Sequence, residues 1–217
     1  MTTLYFTATG NSLAVAKYIG GELVSIPQAV AEGRYEFEDD MVGLVFPVYC
    51  CVAPKMVREF ITKVKIKANY IFAVATYGNG DGNVLKDLAA RAQQIKFDYM
   101  TTIIMVDNYL PNFEIGKQIE GLPKKKVNEH ITRITNDIAV KKQYIKPPQK
   151  GAKLAEILCA PLIKSQDKGL AAKKFIIDDH CTKCSTCAKV CLAGNISVTD
   201  TVDFAEKCES CYACIHL

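Results

Sequence analysis

Short apolar runs alternate with amphipathic stretches along the first 145 residues. Five runs are typical of strands, several of them apolar on both faces: residues 3–6, 23–26, 42–48, 70–75 and 102–106. Four segments between or after them have the apolar spacing of helices: residues 12–19, 54–64, 83–95 and 123–145. Continuous apolar strands that alternate with helices are typical of a parallel sheet covered on both faces. The pattern predicts an α/β fold with a five-stranded, doubly wound parallel sheet.

Two prolines, Pro147 and Pro148, follow the last predicted helix. Because proline has no backbone N–H and clashes with the preceding turn, they end this helix. The next segment predicts a linker with one or two short helices, interrupted at Pro161. The sequence therefore predicts three parts: a first domain over residues 1–146, a linker over 147–175 and a cysteine-rich domain over 176–217.

The composition is that of a globular protein. The chain has 217 residues, of which 49% are hydrophobic and 23% are charged. The longest uncharged stretch near the middle, residues 41–54, is shorter than the roughly 18 residues of a membrane span. The chain begins without the basic segment of a signal peptide. We therefore expect a soluble, cytoplasmic protein that does not enter a membrane.

The net charge of +4 comes from one basic segment. Residues 121–180 contain 13 Lys and Arg against six Asp and Glu, including Lys124, Lys125 and Lys126 in a row. This segment is interpreted as a solvated surface, with a docking patch for an acidic redox partner as the alternative. No basic motif with interleaved aromatic residues accompanies it, so we expect no nucleic acid partner.

A loop of small and hydroxyl residues follows the first predicted strand and leads directly into a helix. Its residues are Thr7, Ala8, Thr9, Gly10, Asn11 and Ser12. Small residues let the backbone wrap closely around a ligand, and the amides at a helix N-terminus bind anions. The sequence contains no Gly-Lys-Ser/Thr and no Gly-x-Gly-x-x-Gly, which disfavours a nucleoside triphosphate loop and a dinucleotide fingerprint. The loop predicts a mononucleotide phosphate site with neutral donors, and simple turn and N-cap roles are the alternative.

The loops after the third, fourth and fifth predicted strands are expected to complete this site, because ligands lie beyond the carboxyl ends of the strands in doubly wound sheets. Each loop contains a tyrosine. The candidate binding residues are Pro47, Val48 and Tyr49, then Thr76, Tyr77, Gly78 and Asn79, then Asp107, Asn108 and Tyr109. Aromatic rings and exposed amides suit a planar heterocycle, although a tyrosine at a strand end also packs simply as an edge residue.

Residues 1 to about 145 resemble a flavodoxin-like domain on these loops. The resemblance implies FMN as the cofactor, with its phosphate in the loop 7–12 and its ring near Tyr49 or Tyr77. Cys50 and Cys51 lie close to the expected flavin edge. Together with Cys159 they are interpreted as small buried hydrophobic residues, and a redox-active thiol is the alternative.

Seven of the ten cysteines fall between residues 181 and 214. Cys181, Cys184, Cys187 and Cys191 have the Cys-x2-Cys-x2-Cys-x3-Cys spacing of bacterial ferredoxins. A shift of 27 residues maps the first three onto Cys208, Cys211 and Cys214 and places the fourth just after Leu217. Leu192 stands where this pattern usually has proline.

In this pattern the fourth cysteine of a run ligates the other cluster. The sequence therefore predicts one complete ligand set, Cys191, Cys208, Cys211 and Cys214, and one incomplete set, Cys181, Cys184 and Cys187. We expect a C-terminal truncation relative to the natural chain; a three-iron or water-ligated cluster and a disordered segment are the alternatives. The spacing disfavours zinc. The three histidines, His130, His180 and His216, are interpreted as structural.

Over essentially its full length, the chain resembles flavodoxin–ferredoxin fusion proteins. The resemblance implies FMN, two 4Fe–4S clusters and an anaerobic or facultative prokaryote as the source. The hypothesis is an electron-transfer flavoprotein that moves electrons between FMN, the clusters and an external redox partner protein. Two alternatives remain: a flavin-dependent reductase of an organic substrate, with Asp81, Asp107 and Tyr77 as its polar candidates, and a redox sensor that binds a partner through the basic segment.

Overall fold

The structure, a computed structural model, describes residues 1–216. Its strands in chain order are β1 (Thr2–Tyr5), β2 (Glu22–Ser25), β3 (Glu36–Glu38), β4 (Met41–Pro47), β5 (Lys65–Lys67), β6 (Tyr70–Tyr77), β7 (Tyr99–Ile104), β8 (Tyr144–Ile145), β9 (Ile196–Val198) and β10 (Val202–Phe204). Its helices are α1 (Asn11–Ile19), α2 (Ile26–Ala31), α3 (Lys55–Ile61), α4 (Val84–Arg91), α5 (Ile115–Glu120), α6 (Leu122–Lys125), α7 (Val127–Ala139), α8 (Ala152–Asp167) and α9 (Thr186–Lys189), with a 3-10 helix at Leu170–Lys174.

The central sheet has the strand order β2-β1-β4-β6-β7-β8, and all of its pairs are parallel. The chain starts in the interior of the sheet, and the strand order reverses between β1 and β4. Strands β3 and β5 pair with each other in a separate two-stranded parallel sheet. The α/β fold with a doubly wound parallel sheet is confirmed, and each predicted strand is present with slightly different ends. The central sheet has six strands instead of the predicted five, because β8 adds to its edge.

The two faces of the central sheet carry two separate hydrophobic clusters, as alternating side chains of β4 demonstrate. Leu44 is fully buried on the face that packs against α2, α3 and α4, whereas its neighbour Val45 is fully buried against α1 and α7. In β6 the same alternation places Ala73 on the first face and Phe72 and Val74 on the second. Burial on both faces explains why these strands are apolar without interruption.

The predicted helix over residues 123–145 is interrupted near its start and ends earlier than predicted. Lys126, with φ +48°, separates α6 from α7, and α7 ends at Ala139. Tyr144 and Ile145 then form strand β8 instead of a last helical turn, because the open edge of β7 accepts their pairing. The apolar spacing that predicted a helix here nevertheless matches the structure, since the side chains of Ile131, Ile134 and Ile138 are buried on one face of α7.

The linker is also more regular than predicted. Helix α8 runs through Pro161 as one helix, so the expected interruption there is wrong. Proline at this position removes the hydrogen bond to the carbonyl of Ile157, a residue that is 69% exposed. Water can satisfy this carbonyl, which makes the proline tolerable. The structure also contains α2, α5 and the β3–β5 pair, which the sequence did not predict.

The cysteine-rich segment consists of α9, the antiparallel hairpin β9–β10 and irregular loops. It contacts the central domain at the start of α3, where the backbone N–H of Met56 donates to both carboxylate oxygens of Glu209 at 3.1 and 3.2 Å. Burial raises the pKa of Glu209 above its usual value. These contacts hold the segment at the carboxyl edge of the central sheet. None of the helices within residues 1–216 is long and apolar enough to cross a membrane.

Candidate functional site

A cavity of about 570 Å³ lies at the carboxyl ends of the central strands. It is bordered by the loops after β1, β4, β6 and β7, at the point where the strand order reverses, which is the usual ligand position in doubly wound sheets. Of the predicted cofactor-binding residues, all but Gly10 line it: Thr7, Ala8, Thr9, Asn11, Ser12, Pro47, Val48, Tyr49, Thr76, Tyr77, Gly78, Asn79, Asp107, Asn108 and Tyr109.

Gly10 shapes the first loop without lining the cavity. It is the residue before α1 and has φ +97°, a conformation that favours glycine. Its backbone N–H donates to the hydroxyl oxygen of Thr7 at 3.2 Å, which closes the loop on itself. The first amides of α1 have no acceptor within the helix, so this end of the cavity is suited to an anion.

Side chains of the first loop bind the neighbouring loops. The hydroxyl oxygens of Ser12 and Thr76 are 2.8 Å apart, and both residues are almost completely buried. Asn11 Nδ2 donates to the carbonyl of Val106 at 2.9 Å, and Asn108 Nδ2 donates to the hydroxyl of Thr9. The residues predicted as phosphate donors therefore also connect three loops, although each hydroxyl keeps further hydrogen-bonding capacity.

The loops after β6 and β7 approach each other closely at Gly78. A Cβ atom at this position would lie 2.4 Å from the Cβ of Asp107, so only glycine fits without displacing a loop. Lys125 Nζ reinforces the contact by donating to the carbonyls of Gly78 at 3.2 Å and Met105 at 2.7 Å. Burial lowers the pKa of Lys125. The interpretation of the lysine run as a solvated surface is therefore wrong for Lys125.

One tyrosine from each of three loops borders the cavity. Tyr49 packs edge to face on Phe6, with ring centroids 6.4 Å apart, and burial raises its pKa well above its usual value. Burial also raises the pKa of Tyr77. Tyr109 packs edge to face on Tyr212 of the cysteine-rich segment, with centroids 5.3 Å apart. Among residues 1–216, no Lys or Arg lines the cavity, so any anionic group there meets neutral donors.

Four cysteines of the last segment border a second, smaller cavity: Cys191, Cys208, Cys211 and Cys214. These are the residues that the ferredoxin spacing predicts as one complete ligand set. Apolar side chains of Phe175 and Phe204 form part of the wall. Burial raises the pKa of the Cys211 thiol to about 12 and also raises those of Cys208 and Cys214. The free space is about 20 Å³, so these side chains must rotate outward to admit a cluster.

The other three predicted ligands lie apart from this cavity. Cys181 and Cys184 are exposed, and Cys187 is half-buried. Cys184 Sγ donates to the hydroxyl of Thr186 at 3.2 Å. Within residues 1–216, no three His, Cys, Asp or Glu side chains come close enough to hold a single metal ion. The metal-ligand roles of the seven cysteines stay predictions, and Leu217, the end of the predicted domain, lies outside the described residues.

No protein-family profile and no curated protein matches the chain. Among solved structures, similar chains include a protein from Bacteroides uniformis named as a flavoprotein (16% identity, 55% of this chain and 97% of that chain, TM-score 0.38). Others are the Trp repressor binding protein of Bacillus subtilis (10% identity, 48% and 85%, TM-score 0.37) and the two-electron reduced flavodoxin of Megasphaera elsdenii (22% identity, 50% and 90%, TM-score 0.35).

The strand order decides the fold independently of these partial similarities. The other five strands of the central sheet, apart from the edge strand β8, are β1, β2, β4, β6 and β7. When these are numbered 1 to 5 in chain order, their order across the sheet is 2-1-3-4-5, and the cavity lies at the point where this order reverses. The fold is flavodoxin-like. The division into three domains is untested by any of these observations and stays a prediction.

Sequence reasoning missed the far wall of the flavodoxin-like cavity. Helix α8 contributes Cys159, Leu162 and Gln166, and the last segment contributes Ser210, Cys211 and Tyr212. Cys211 and Tyr212 also border the small cavity, so the two cavities share one wall. Several apolar residues of α8 are exposed in the structure. In the sequence, these apolar residues are the only signal that could have indicated an additional role for the helix, and no pattern indicated where it packs.

Proposed function

We propose that the chain is an electron-transfer flavoprotein that binds FMN in the large cavity and a 4Fe–4S cluster at Cys191, Cys208, Cys211 and Cys214. The observation that carries this proposal is the shared wall, because Cys211 and Tyr212 border both cavities. A redox group in one cavity would thus be separated from a redox group in the other by single side chains. FMN, when bound, exchanges electrons singly or in pairs, which suits it to a one-electron cluster.

The large cavity supports the flavin part of the proposal. Its volume of about 570 Å³ lies within the usual range for cofactor sites. The loop at residues 7–12 would hold the phosphate at the N-terminus of α1 with neutral donors. Tyr49 and Tyr77 from the loops after β4 and β6 would border the ring, and Asp107, Asn108 and Tyr109 would complete the opposite side.

The donor set of the small cavity supports the cluster part. Four thiols border one cavity, and the neighbouring phenylalanines give it a partly apolar wall. Cysteines bind iron as thiolates, so cluster insertion must release protons from the buried thiols. Within residues 1–216, no three His, Cys, Asp or Glu side chains lie close enough to bind a single metal ion. A four-iron cluster does not need such a group, because its cysteine ligands lie farther apart than the ligands of one ion. Cys181, Cys184 and Cys187 would serve a second cluster.

The remaining parts of the proposal concern organisation and partner. Residues 1–146 would form the FMN domain, 147–175 the connection and 176–217 the iron–sulfur domain. The physiological partner would be a redox protein that exchanges electrons with the clusters. Lys124 and Lys126, which are exposed, remain available to an acidic partner.

Anaerobic purification followed by flavin, iron and sulfide analysis tests the proposal. The wild-type chain should hold FMN and inorganic sulfide together with iron. A bulky side chain in the Thr9→Phe variant should abolish FMN retention, because this residue lines the cavity between two loops, whereas the iron content should remain. The matched control is Thr62→Phe at an exposed position after α3. A colourless protein that contains zinc would refute the proposal.

A further inference from the structure

Two cysteines from distant parts of the chain face each other in the wall of the large cavity. Cys51 Sγ lies 3.5 Å from Cys159 Sγ, and the two residues are 108 positions apart in sequence. Cys51 belongs to the loop after β4 and Cys159 to helix α8. Both are half-buried and both line the cavity, so a small reagent can reach them.

The backbone around Cys51 provides a second, independent observation. Hydrogen bonds between Tyr49 and Val52, at 2.8 and 3.2 Å, close a two-residue turn whose central residues are Cys50 and Cys51. Their φ angles are +47° and +71°, in the left-handed region that favours glycine or asparagine in such turns. Cysteine is therefore unfavourable at both positions. Unfavourable backbone conformations of this kind cluster at functional sites.

Neighbouring groups fix the direction of each thiol. A Cβ atom at Gly82 would lie 2.5 Å from the Cβ of Cys51, so Gly82 lets the turn pack closely behind this residue. Cys50 Sγ accepts a hydrogen bond from Gln166 Nε2 at 3.5 Å. Gln166 lies about two turns beyond Cys159 on α8. Both adjacent cysteines therefore lie near α8: Cys51 faces the Cys159 thiol at 3.5 Å, whereas Cys50 lies near the same thiol and also accepts from the Gln166 amide.

We infer that Cys51 and Cys159 form a reversible disulfide that joins the turn after β4 to helix α8 across the cavity wall. A disulfide requires the sulfur atoms to approach to about 2.05 Å, a movement of roughly 1.5 Å from the observed separation. With hydrogen peroxide as oxidant, both S–H bonds break, one S–S bond forms, and one peroxide is reduced to two waters. A dithiol reductant reverses the reaction by exchange.

The disulfide has a structural consequence for the cavity. Helix α8 contributes Leu162 and Gln166 to the lining in addition to Cys159. Oxidation links this helix covalently to the loop after β4, which contains Tyr49 and also lines the cavity. Oxidised protein therefore has a covalent link between α8 and this loop, whereas non-covalent contacts alone hold the helix in the wall of the reduced protein. This inference is independent of the group that occupies the cavity.

Peptide mapping of the full chain tests the inference. Reduced protein is treated with hydrogen peroxide, blocked with N-ethylmaleimide and digested with trypsin, which releases Cys51 in residues 35–55 and Cys159 in residues 154–164. We expect one species that contains both peptides and disappears after reduction. Its mass should be the sum of the two peptides, with one N-ethylmaleimide on Cys50, minus two hydrogens. The Cys50→Ser control should keep this species, whereas Cys51→Ser and Cys159→Ala should each lose it.

Several results would overturn the inference. They are the absence of the linked species in the wild type, a bond between Cys50 and Cys51 instead, or a linked species that persists in Cys51→Ser. The two cysteines lie on different elements, so a folding defect in one variant leaves the other informative. A circular dichroism spectrum matching the wild type identifies a correctly folded variant.

Discussion

Single residues at the loop contacts set the shape of the cavity. Its donors are neutral, and its loops are joined by Ser12, Thr76, Asn11 and Asn108. Gly10 has a backbone conformation that favours glycine, and a Cβ atom at Gly78 would clash with Asp107. The sequence indicated the small residues and hydroxyls of the loop 7–12, because glycine and short polar side chains are typical of phosphate loops. It did not indicate their partners, because contacts between loops far apart in sequence depend on tertiary packing.

The close approach at Gly78 leads to a prediction for FMN affinity. In the Gly78→Ala variant, the new methyl group must displace Asp107 and separate the loops after β6 and β7. Overpacking of this kind costs about 1–3 kcal/mol, so FMN should bind about fivefold to 150-fold more weakly. Fluorescence titration of the apoprotein with FMN measures this change. Gly80→Ala is the matched control, because no atom lies within 4 Å of a Cβ at Gly80; equal affinities of the two variants would contradict the prediction.

At the scale of elements, the strands were predictable and the last third of the chain was not. Strands β4 and β6 are buried on both faces, so their uninterrupted apolar runs identify them directly. Strand β8 has two exposed residues, and only backbone pairing with β7 distinguishes it from a helix end. Helix α8 continues through Pro161, which local sequence rules treat as a break. Both errors arise because tertiary contacts and solvent exposure override the local signal.

The end of β8 is attached to the sheet by a buried ion pair, which leads to a stability prediction. Lys146 Nζ pairs with Asp81, whose side chain is 5% exposed, and also donates to the hydroxyl of Thr102 at 2.6 Å. The Lys146→Met variant leaves this carboxylate buried without its cation, which should lower the free energy of unfolding by roughly 3 kcal/mol. Urea denaturation measures this loss.

An exposed ion pair provides the control for this variant. Lys65 pairs with Glu36 at 2.8 Å, and both side chains are about three-quarters exposed. Because water screens exposed pairs, Lys65→Met should leave the free energy of unfolding close to the wild-type value. Equal losses in the two lysine variants would show that the burial of Asp81 has no energetic consequence.

At the scale of the whole molecule, the proposed electron transfer depends on how the two cavities lie next to each other. The cysteine spacing predicted which four thiols belong together, and these four border one cavity. The spacing did not reveal that this cavity shares Cys211 and Tyr212 with the large one, because that depends on how the last segment packs on the sheet edge. The contact of Glu209 with the start of α3 fixes this packing.

Iron analysis of two cysteine variants tests the central claim most directly. Cys191 borders the small cavity, whereas Cys181 is exposed and lies outside its lining. Purified anaerobically, Cys181→Ser should retain about four irons per chain, while Cys191→Ser should lose about four irons relative to the wild type. Both variants should keep FMN, since neither residue lines the large cavity. Undiminished iron in Cys191→Ser, or complete loss of iron in Cys181→Ser, would contradict the assignment of the cluster to Cys191, Cys208, Cys211 and Cys214.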